Sequence, residues 1–247
     1  MKRVLTAVVV LLGVAVVLDY VFWYGPLRDP HPGWRRPHGT LTISGAKVYV
    51  SPDLPPLDHA TVVVKDGLIA AVGRDVQVPA DARTIPCDGC VVTAGYWNAH
   101  VHFTEPKWDG AAWKSRDSLN AYLVDMLTSR GFTTVVDASS DLRITLSLRR
   151  RIARRELLGP NIYTAGSGLY PPNGIPYYIR DELPFYVLWM IPQPRTPEEA
   201  TGIERRNIER GADLLKLFTG SYIAHGKILS MPVDIARAAV EVAHEHG

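Results

Sequence analysis

Two histidines separated by one residue, His100 and His102, most directly indicate chemistry in this sequence of 247 residues. Alternate side chains of a β-strand point to the same face, so both imidazoles can reach one metal ion. A pair of this kind is a weak signal alone, because the chain has eight histidines. Its place at the end of a predicted strand, residues 96–103, makes it a candidate metal site.

A lysine is the second candidate, because the predicted strand 213–218 places it among apolar side chains. Leu214, Lys216 and Phe218 share one face of that strand. Burial disfavours an ammonium group and leaves an amine that can react with carbon dioxide. The resulting carbamate is an anionic oxygen ligand, and divalent cations would offset its burial. The alternative is a lysine at the rim of the sheet whose ammonium group reaches water.

Strands and helices alternate after Gly95. Strand-like segments cover 96–103, 132–136, 161–165 and 213–218, and helical spacing covers 115–130, 142–158, 197–210 and 232–246. This order is typical of a parallel sheet or a (β/α) barrel, which builds its active site at the C-terminal ends of its strands. We therefore predict an α/β fold in which residues 95–247 form a parallel sheet or a (β/α) barrel.

The preceding residues 39–94 predict a small antiparallel β-sandwich unit. Asp-Gly pairs at residues 66–67 and 88–89 are strong signals for hairpin turns. Cys87 and Cys90 bracket the second pair, where residues that face each other across a turn lie within disulfide range. A small disulfide and two unpaired cysteines both stay open, whereas zinc binding would need further soft ligands.

Residues 1–24 predict a signal anchor that forms a transmembrane helix. Lys2 and Arg3 precede an apolar and aromatic run at 4–24, whose length is close to the ~20 residues that cross a bilayer. No small-x-small cleavage site follows the run, which favours an uncleaved anchor over a secreted protein. The N-terminal position directly behind two basic residues favours an anchor over a buried helix. Residues 25–38, rich in proline, predict a linker. The body would lie outside the cytoplasmic membrane, in the periplasm of a Gram-negative cell.

Charged surfaces and loops give less specific information. The net charge of +2 and the mixture of both signs exclude the electrostatic footprint of a nucleic-acid-binding protein. Helix 142–158 carries an arginine cluster that we interpret as a solvated face rather than a membrane or acidic-partner patch. Its members are Arg149, Arg150, Arg151, Arg154 and Arg155. The segment 170–194, rich in aromatic residues and proline, is either a loop that covers substrate or a packed insertion.

Three segments carry a resemblance to a known family. Gly-Leu-Ile-Ala-Ala-Val-Gly at 67–73 and Val-Val-Thr-Ala-Gly-Tyr-Trp-Asn-Ala-His-Val-His at 91–102 resemble the entrance to the barrel of the amidohydrolase superfamily. Gly-Ala-Asp-Leu-Leu-Lys-Leu-Phe at 211–218 resembles strand four of the branch with imidazolonepropionase-like proteins and Xaa-Pro dipeptidases. Ala94 and Asn98 depart from the family's usual proline and aspartate. The resemblance extends from about residue 40 to the end of the chain.

The resemblance implies a metal-dependent amidohydrolase. Such an enzyme cleaves a C–N bond of a small molecule or dipeptide, including Xaa-Pro and cyclic amide bonds, through a metal-bound hydroxide. His100 and His102 would bind one divalent ion, expected to be zinc, and Lys216, carboxylated by carbon dioxide, would bridge it to a second. The neutral amide of Asn98 would stand where the family has a charged partner for the site.

Part of the family's site has no counterpart in these residues. The family uses two more histidines, from strands five and six, and an aspartate from strand eight. His225 follows strand four, and His244 and His246 lie at a helix end, so none fits these roles and no catalytic residue is identified. Residues 94–247 supply four strands, against ~250 residues for a complete barrel. The resemblance thus implies that residues 95–247 form the N-terminal half of a (β/α)8 barrel of the TIM type. We therefore expect a truncated reading frame, a fragment of a longer protein, or a half barrel completed by another chain.

A function of another class remains open beside the hydrolase. The chain could be a membrane-anchored scaffold or binding protein that retains the amidohydrolase fold without metal. Substitution of His100 and His102 together separates the two, because an enzyme would lose bound metal and a scaffold only some stability. The substrate, the number of metal ions and the oligomeric state are not indicated by the sequence.

Overall fold

A computed structural model describes residues 13–14 and 38–247 of the chain. These residues fall into two compact units, which we call the β unit, 38–96, and the α/β unit, 97–247. Apart from residues 13–14, the predicted anchor at 1–24 lies outside the described residues, as do residues 25–37 of the predicted linker. Within the described part of the chain, no helix is long and apolar enough to span a bilayer.

The β unit is one mixed sheet of five strands. The strands are β1 (Thr40–Val48), β2 (Leu57–Lys65), β3 (Leu68–Gly73), β4 (Arg83–Pro86) and β5 (Val91–Val92). Their order is β3-β2-β1-β4, with β5 also on β1. β2 and β3 form the predicted hairpin, in which Asp66 and Gly67 both have the positive φ that a tight hairpin turn requires. Alternate apolar residues of β1 and β2 are buried together and form the core of this unit.

The second predicted hairpin is wrong, and with it the purely antiparallel sandwich. β4 and β5 both run parallel to β1, so the chain continues in one direction across residues 87–90 instead of reversing. These residues arch over Gly45, where a side chain would overlap the Asp88 carboxylate. Cys87 and Cys90 are joined in a disulfide at the base of the arch, with Cα atoms 5.3 Å apart.

The sheet of the α/β unit has the order β6-β7-β8. These strands are β6 (Tyr96–Val101, which begins at the unit boundary), β7 (Phe132–Asp137) and β8 (Asn161–Thr164). β7 and β8 are parallel, as predicted. Val135 and Ile162 lie side by side in these two strands and are buried in the main apolar core. The polar ends of the strands therefore lie beyond a sheet that is fixed by apolar packing.

The predicted fourth strand, 213–218, is present only as an interrupted pairing. Asp213 N donates to Thr164 O at 2.7 Å, and Leu217 forms a parallel bridge with Leu169. Between these points the chain leaves the strand line, because Gly166 adopts a left-handed φ of 62° and its carbonyl accepts a hydrogen bond from Ser140 N. A continuous strand is therefore replaced by two short contacts.

Six α-helices flank these strands within residues 38–247. They are α1 (Arg116–Met126), α2 (Leu142–Ala153), α3 (Tyr177–Arg180), α4 (Phe185–Met190), α5 (Pro197–Glu209) and α6 (Val233–Glu245). The side chains of Ser115, Asp141 and Thr196 cap α1, α2 and α5 by accepting a backbone N–H of the first turn. β9 (Gly220–Ala224) and β10 (Lys227–Ser230) form an additional hairpin, with His225 in its turn.

The prediction that the arginines of α2 and its C-terminal end form a solvated face is wrong for two of them. Arg149 is buried and forms an ion pair with Asp213 at 2.6 Å. Arg151 donates to the backbone oxygens of Ala111 and Lys114 at 2.9 and 2.8 Å. Sequence spacing alone could not distinguish these residues from Arg154, which is exposed, because their partners lie 37 to 64 residues away.

Candidate metal centre

The two predicted histidine ligands lie together at the C-terminal end of β6. Their Nε2 atoms are 3.1 Å apart, and their ring centroids are 5.0 Å apart with an interplanar angle of 73°. Two nitrogen ligands at ~2.0–2.1 Å from one tetrahedral metal ion are separated by about 3.3 Å. The strand therefore presents His100 and His102 with a spacing that fits one metal ion.

The ring of His102 is held by the chain that follows β7. Its Nδ1 atom lies 2.9 Å from the backbone oxygen of Ser139. A carbonyl oxygen can only accept, so Nδ1 carries the hydrogen and Nε2 of the neutral ring keeps its lone pair. This is the usual arrangement behind a metal-binding histidine, with the second nitrogen fixed by an acceptor.

The neighbouring groups favour an uncharged ring at His100. Desolvation lowers the pKa of His100, and the positive charge of Lys216 and the ring of His102 lower it further. Neutral imidazole is the form that binds metal ions. Asn98 accepts a hydrogen bond from the backbone N–H of His100 through Oδ1 at 3.1 Å. Asn98 thus fixes the strand end, whereas the resemblance gave its position to a charged group.

Lys216 lies close enough to the histidines for its charge to act on His100. The lysine is half-buried, and its Nζ atom is 5.0 Å from the centroid of the Phe218 ring. That ring stacks on Tyr170 with centroids 3.9 Å apart. The predicted placement of the lysine beside Phe218 is thus present, even though the strand that carries it is interrupted.

The donor set of the site is partial. Among residues 13–14 and 38–247, no three His, Cys, Asp or Glu side chains form a group that could hold a metal ion. His225 is instead beside Tyr177, with its Nδ1 3.4 Å from the phenol oxygen. His246 Nδ1 lies 2.8 Å from the backbone oxygen of Val242, at the end of α6. The structure therefore brings together a histidine pair and a lysine, and places these other two histidines elsewhere.

Sequence reasoning missed the residues that support the pair. Asp137 ends β7, and Ser139 and Ser140 follow it; Ser139 contacts the ring of His102, and Ser140 is hydrogen-bonded to Asp137. The side chains of Asp137 and Ser140 are buried, and the fully buried Asp137 accepts hydrogen bonds from Ser140, Thr145 and Thr164. The run Asp-Ala-Ser-Ser after an apolar strand was the available signal, because polar residues at the end of a barrel strand point to the site.

A second polar group lies away from the histidines. A cavity of about 320 Å³ is lined by Glu204, Asp213 and His246 together with residues of β8, α5, α6 and the segment 212–214. Glu204 is fully buried, and burial raises its pKa to about 7, although the Asn207 amide partly opposes this. Its Oε1 atom has no hydrogen-bond partner among the described residues. Burial of the Glu204 carboxyl therefore affects the stability of the chain.

Comparison of sequences finds relatives over part of the chain. No family model matches the sequence. A segment of 75 residues is 35% identical to a deacetylase of Agrobacterium fabrum and covers 30% of this chain and 16% of that protein. A segment of 66 residues is 38% identical to a dihydroorotase of Anaeromyxobacter sp., covering 27% of this chain and 15% of the relative.

Comparison of structures finds the same fold over most of the chain. A prolidase complexed with N-methylphosphonate-L-proline matches with a TM-score of 0.67 and 23% identity, over 84% of this chain and 54% of that one. A Xaa-Pro dipeptidase with methionine in its active site matches with a TM-score of 0.64 and 19% identity, over 85% and 55%. At these identities the likeness shows the fold, and the chain spans about half the length of these proteins.

The matched sequences and the shared fold support the resemblance to the amidohydrolase superfamily, over part of the relatives' length. The resemblance read from the motifs is therefore confirmed. By this family resemblance the chain is related to hydrolases that act on C–N bonds.

Proposed function

We propose that the chain is part of a metal-dependent hydrolase that cleaves a C–N bond of a small amide or dipeptide. The observation that carries the proposal is the convergence of the two Nε2 atoms at 3.1 Å, with one ring fixed by Ser139. Two neutral imidazoles at this spacing form a metal-binding pair. The pair lies at the C-terminal end of a barrel-type strand, where this fold places its chemistry.

Three residues of the chain would each have a role in binding metal. His100 and His102 supply nitrogen ligands to one divalent ion, which we take to be zinc. Bound metal ions would activate water and polarise the carbonyl group of the scissile bond. Lys216 would contribute an oxygen ligand after reaction of its amine with carbon dioxide. Without carboxylation, the ammonium group of Lys216 would instead repel a cation at the histidines. Binding of a second metal ion therefore depends on the carboxylation of Lys216.

The lysine modification can be tested directly. We expect carbon-13 bicarbonate to give the full chain a carbamate resonance in the presence of zinc. The Lys216→Ala variant should lack this resonance, and Lys227→Ala, an exposed lysine of β10, should keep it. Retention of the resonance in Lys216→Ala would show that another amine carries the carbamate and that Lys216 is not the carboxylated ligand.

The relatives indicate which substrates to test first. One matched structure is a prolidase that holds a phosphonate analogue of a proline compound, and another is a Xaa-Pro dipeptidase. A dihydroorotase is one of the sequence relatives, and we therefore include cyclic amides. We propose Xaa-Pro dipeptides and cyclic amides as the substrate classes, with small ligands and no nucleic acid.

Hydrolysis tests the proposal when it is measured with matched variants. The full chain, and a chain extended through further barrel strands where the gene supplies them, are incubated with zinc and a panel of Xaa-Pro dipeptides. Metal content is measured on the same samples. The double variant His100→Gln/His102→Gln should lose both metal and hydrolysis, whereas His244→Gln, an exposed residue of α6, should lose neither. A wild-type chain that binds no metal, with a double variant that loses only stability, would support the scaffold alternative.

We further propose that residues 4–24 anchor the chain in the cytoplasmic membrane, with the body exported. The support is their apolar composition behind Lys2 and Arg3. Alkaline extraction and protease accessibility of intact spheroplasts test it. An anchored body would stay with the membrane and be digested from outside, whereas release by alkali or protection from the protease would contradict the proposal.

A further inference from the structure

A buried polar chain connects the end of β7 to the end of β6. Asp137 is the last residue of β7, and its side chain is fully buried. Its Oδ1 atom accepts the hydroxyl of Ser140 at 2.6 Å, and its Oδ2 atom accepts the hydroxyls of Thr145 at 2.6 Å and Thr164 at 2.9 Å. A buried carboxylate needs such donors, because an unpaired charge in the interior is costly.

Ser140 carries this chain onward to the histidine strand. Its hydroxyl oxygen accepts the backbone N–H of Phe103 at 2.8 Å while its hydrogen is donated to Asp137. The backbone oxygen of Ser139, one residue earlier, accepts a hydrogen bond from Nδ1 of His102. Ser139 and Ser140 of the loop thus contact His102 and Phe103, the two residues that follow β6. These two hydrogen bonds fix the position of the loop relative to the end of the strand.

We propose that Asp137 and Ser140 are positioning residues that set the tautomer and orientation of His102. Asp137 fixes the hydroxyl of Ser140, Ser140 fixes the backbone at Phe103, and the Ser139 carbonyl then faces Nδ1 of His102. The hydrogen stays on Nδ1, and the lone pair of Nε2 faces His100. The role in metal binding rests on the function proposed above, whereas the tautomer belongs to the metal-free chain and is independent of that function.

The direction of the hydrogen bonds favours this role over a general contribution to stability. Oδ2 of Asp137 accepts two threonine hydroxyls, one from α2 and one from β8, and so ties the carboxylate to the body of the unit. Oδ1 faces the loop, where Ser139 N is also within 3.4 Å. Loss of a contact at Oδ2 should therefore change stability alone, and loss of the contact at Oδ1 should also change His102.

Two single variants separate these effects. Ser140→Ala removes the hydroxyl between Asp137 and Phe103, and Thr145→Val removes one hydroxyl at the opposite oxygen. Each deletes a single buried hydroxyl hydrogen bond to the same carboxylate, so both are expected to lower the melting temperature. Asp137→Asn, which keeps an acceptor oxygen for Ser140, serves as the conservative variant, and Asp137→Ala as the complete deletion.

The readout is the nitrogen-15 spectrum of the histidine rings in the metal-free full chain, with His102 assigned from His102→Gln. Wild type, Thr145→Val and Asp137→Asn should show one tautomer of His102, protonated at Nδ1. Ser140→Ala should show a mixture with the Nε2-protonated form. A single Nδ1-protonated tautomer in Ser140→Ala would overturn the proposal, and Asp137→Ala provides the same test if Ser140→Ala does not fold.

Zinc affinity gives the second readout. Loss of a group that orients a metal-binding histidine typically weakens binding 10–100-fold. We expect at least about tenfold weaker zinc binding for Ser140→Ala and no comparable change for Thr145→Val. If wild type binds no zinc at this pair, the proposed function fails, and the tautomer spectrum still decides the role of Asp137 and Ser140. Equal weakening of zinc binding in Ser140→Ala and Thr145→Val would show that Ser140 contributes to stability and does not position His102.

Discussion

Nη1 of Arg149 lies 2.6 Å from Oδ2 of Asp213, and both side chains are more than nine-tenths buried. The same carboxylate oxygen accepts the backbone N–H of Thr164 at 2.9 Å, and Nη2 of Arg149 donates to Gly211 O. This ion pair joins α2 to the start of the interrupted fourth strand. It therefore holds the segment that carries Lys216.

Substitution of Asp213 by Asn should destabilise the chain strongly. The change leaves the Arg149 guanidinium buried without its counter-charge, and breaking a buried pair in this way costs about 3–5 kcal/mol. Urea unfolding measures the loss. Asp58→Asn provides the control, because the Lys47–Asp58 pair is about half exposed and is expected to contribute less than ~1 kcal/mol. Equal losses in the two variants would show that burial of Arg149 does not matter.

Glu204 should make the chain less stable as the pH rises from about 4.5 to about 7. Burial raises the pKa of this carboxyl from 4.5 to about 7, so the folded chain binds more protons than the unfolded chain in that interval. The ionised form is then penalised by about 3 kcal/mol above pH 7, and the penalty is absent below pH 4.5.

The variant Glu204→Gln tests this dependence. Its unfolding free energy should exceed that of wild type at pH 8 and converge with it toward pH 4. The variant Glu209→Gln, an exposed residue at the end of the same helix, should follow the wild-type curve. Parallel curves for wild type and Glu204→Gln would show that folding does not raise the pKa of this carboxyl.

Gly168 should tolerate no side chain. A Cβ atom there would lie 2.7 Å from Cε2 of Phe218, 3.0 Å from Cγ of Lys216 and 3.2 Å from Oγ of Ser139. Gly168→Ala should therefore displace residues on both sides of the candidate metal centre, at a cost of about 1–3 kcal/mol. Thermal unfolding and zinc titration should both show a loss.

The matched substitution Gly202→Ala should have the opposite sign. Gly202 lies inside α5, where alanine is favoured over glycine by about 1 kcal/mol, and its nearest new contact is the mobile end of Arg206 at 3.4 Å. A stable Gly168→Ala variant with unchanged zinc binding would show that the residues around Gly168 do not constrain the centre.

The sequence predicted those parts of the fold that depend on local patterns. Strand-like segments located β6, β7 and β8, and helical spacing located α1, α2, α5 and α6. The histidine pair was predictable because a strand brings alternate residues together. The strand pattern made Lys216 a candidate, and the resemblance added the role of a carboxylated ligand that bridges two metal ions.

The rest depended on contacts between distant residues. The direction of β4 and β5 is set by pairing with β1, so the Asp88-Gly89 turn signal gave the wrong topology. The burial of Arg149 is set by Asp213, which is 64 residues away. Ser139 became part of the site through its backbone oxygen, a group that every residue has and no sequence pattern distinguishes.

Zinc titration followed by nitrogen-15 spectra of the histidine rings tests the central claim most directly. Because Nδ1 of His102 is held by Ser139 and the two Nε2 atoms face each other, zinc should shift the Nε2 resonances of His100 and His102 together. His225 and His244 should not shift at the same zinc concentration. Zinc-dependent shifts confined to other histidines, or none at His100 and His102, would contradict the assignment of this pair as a metal-binding site.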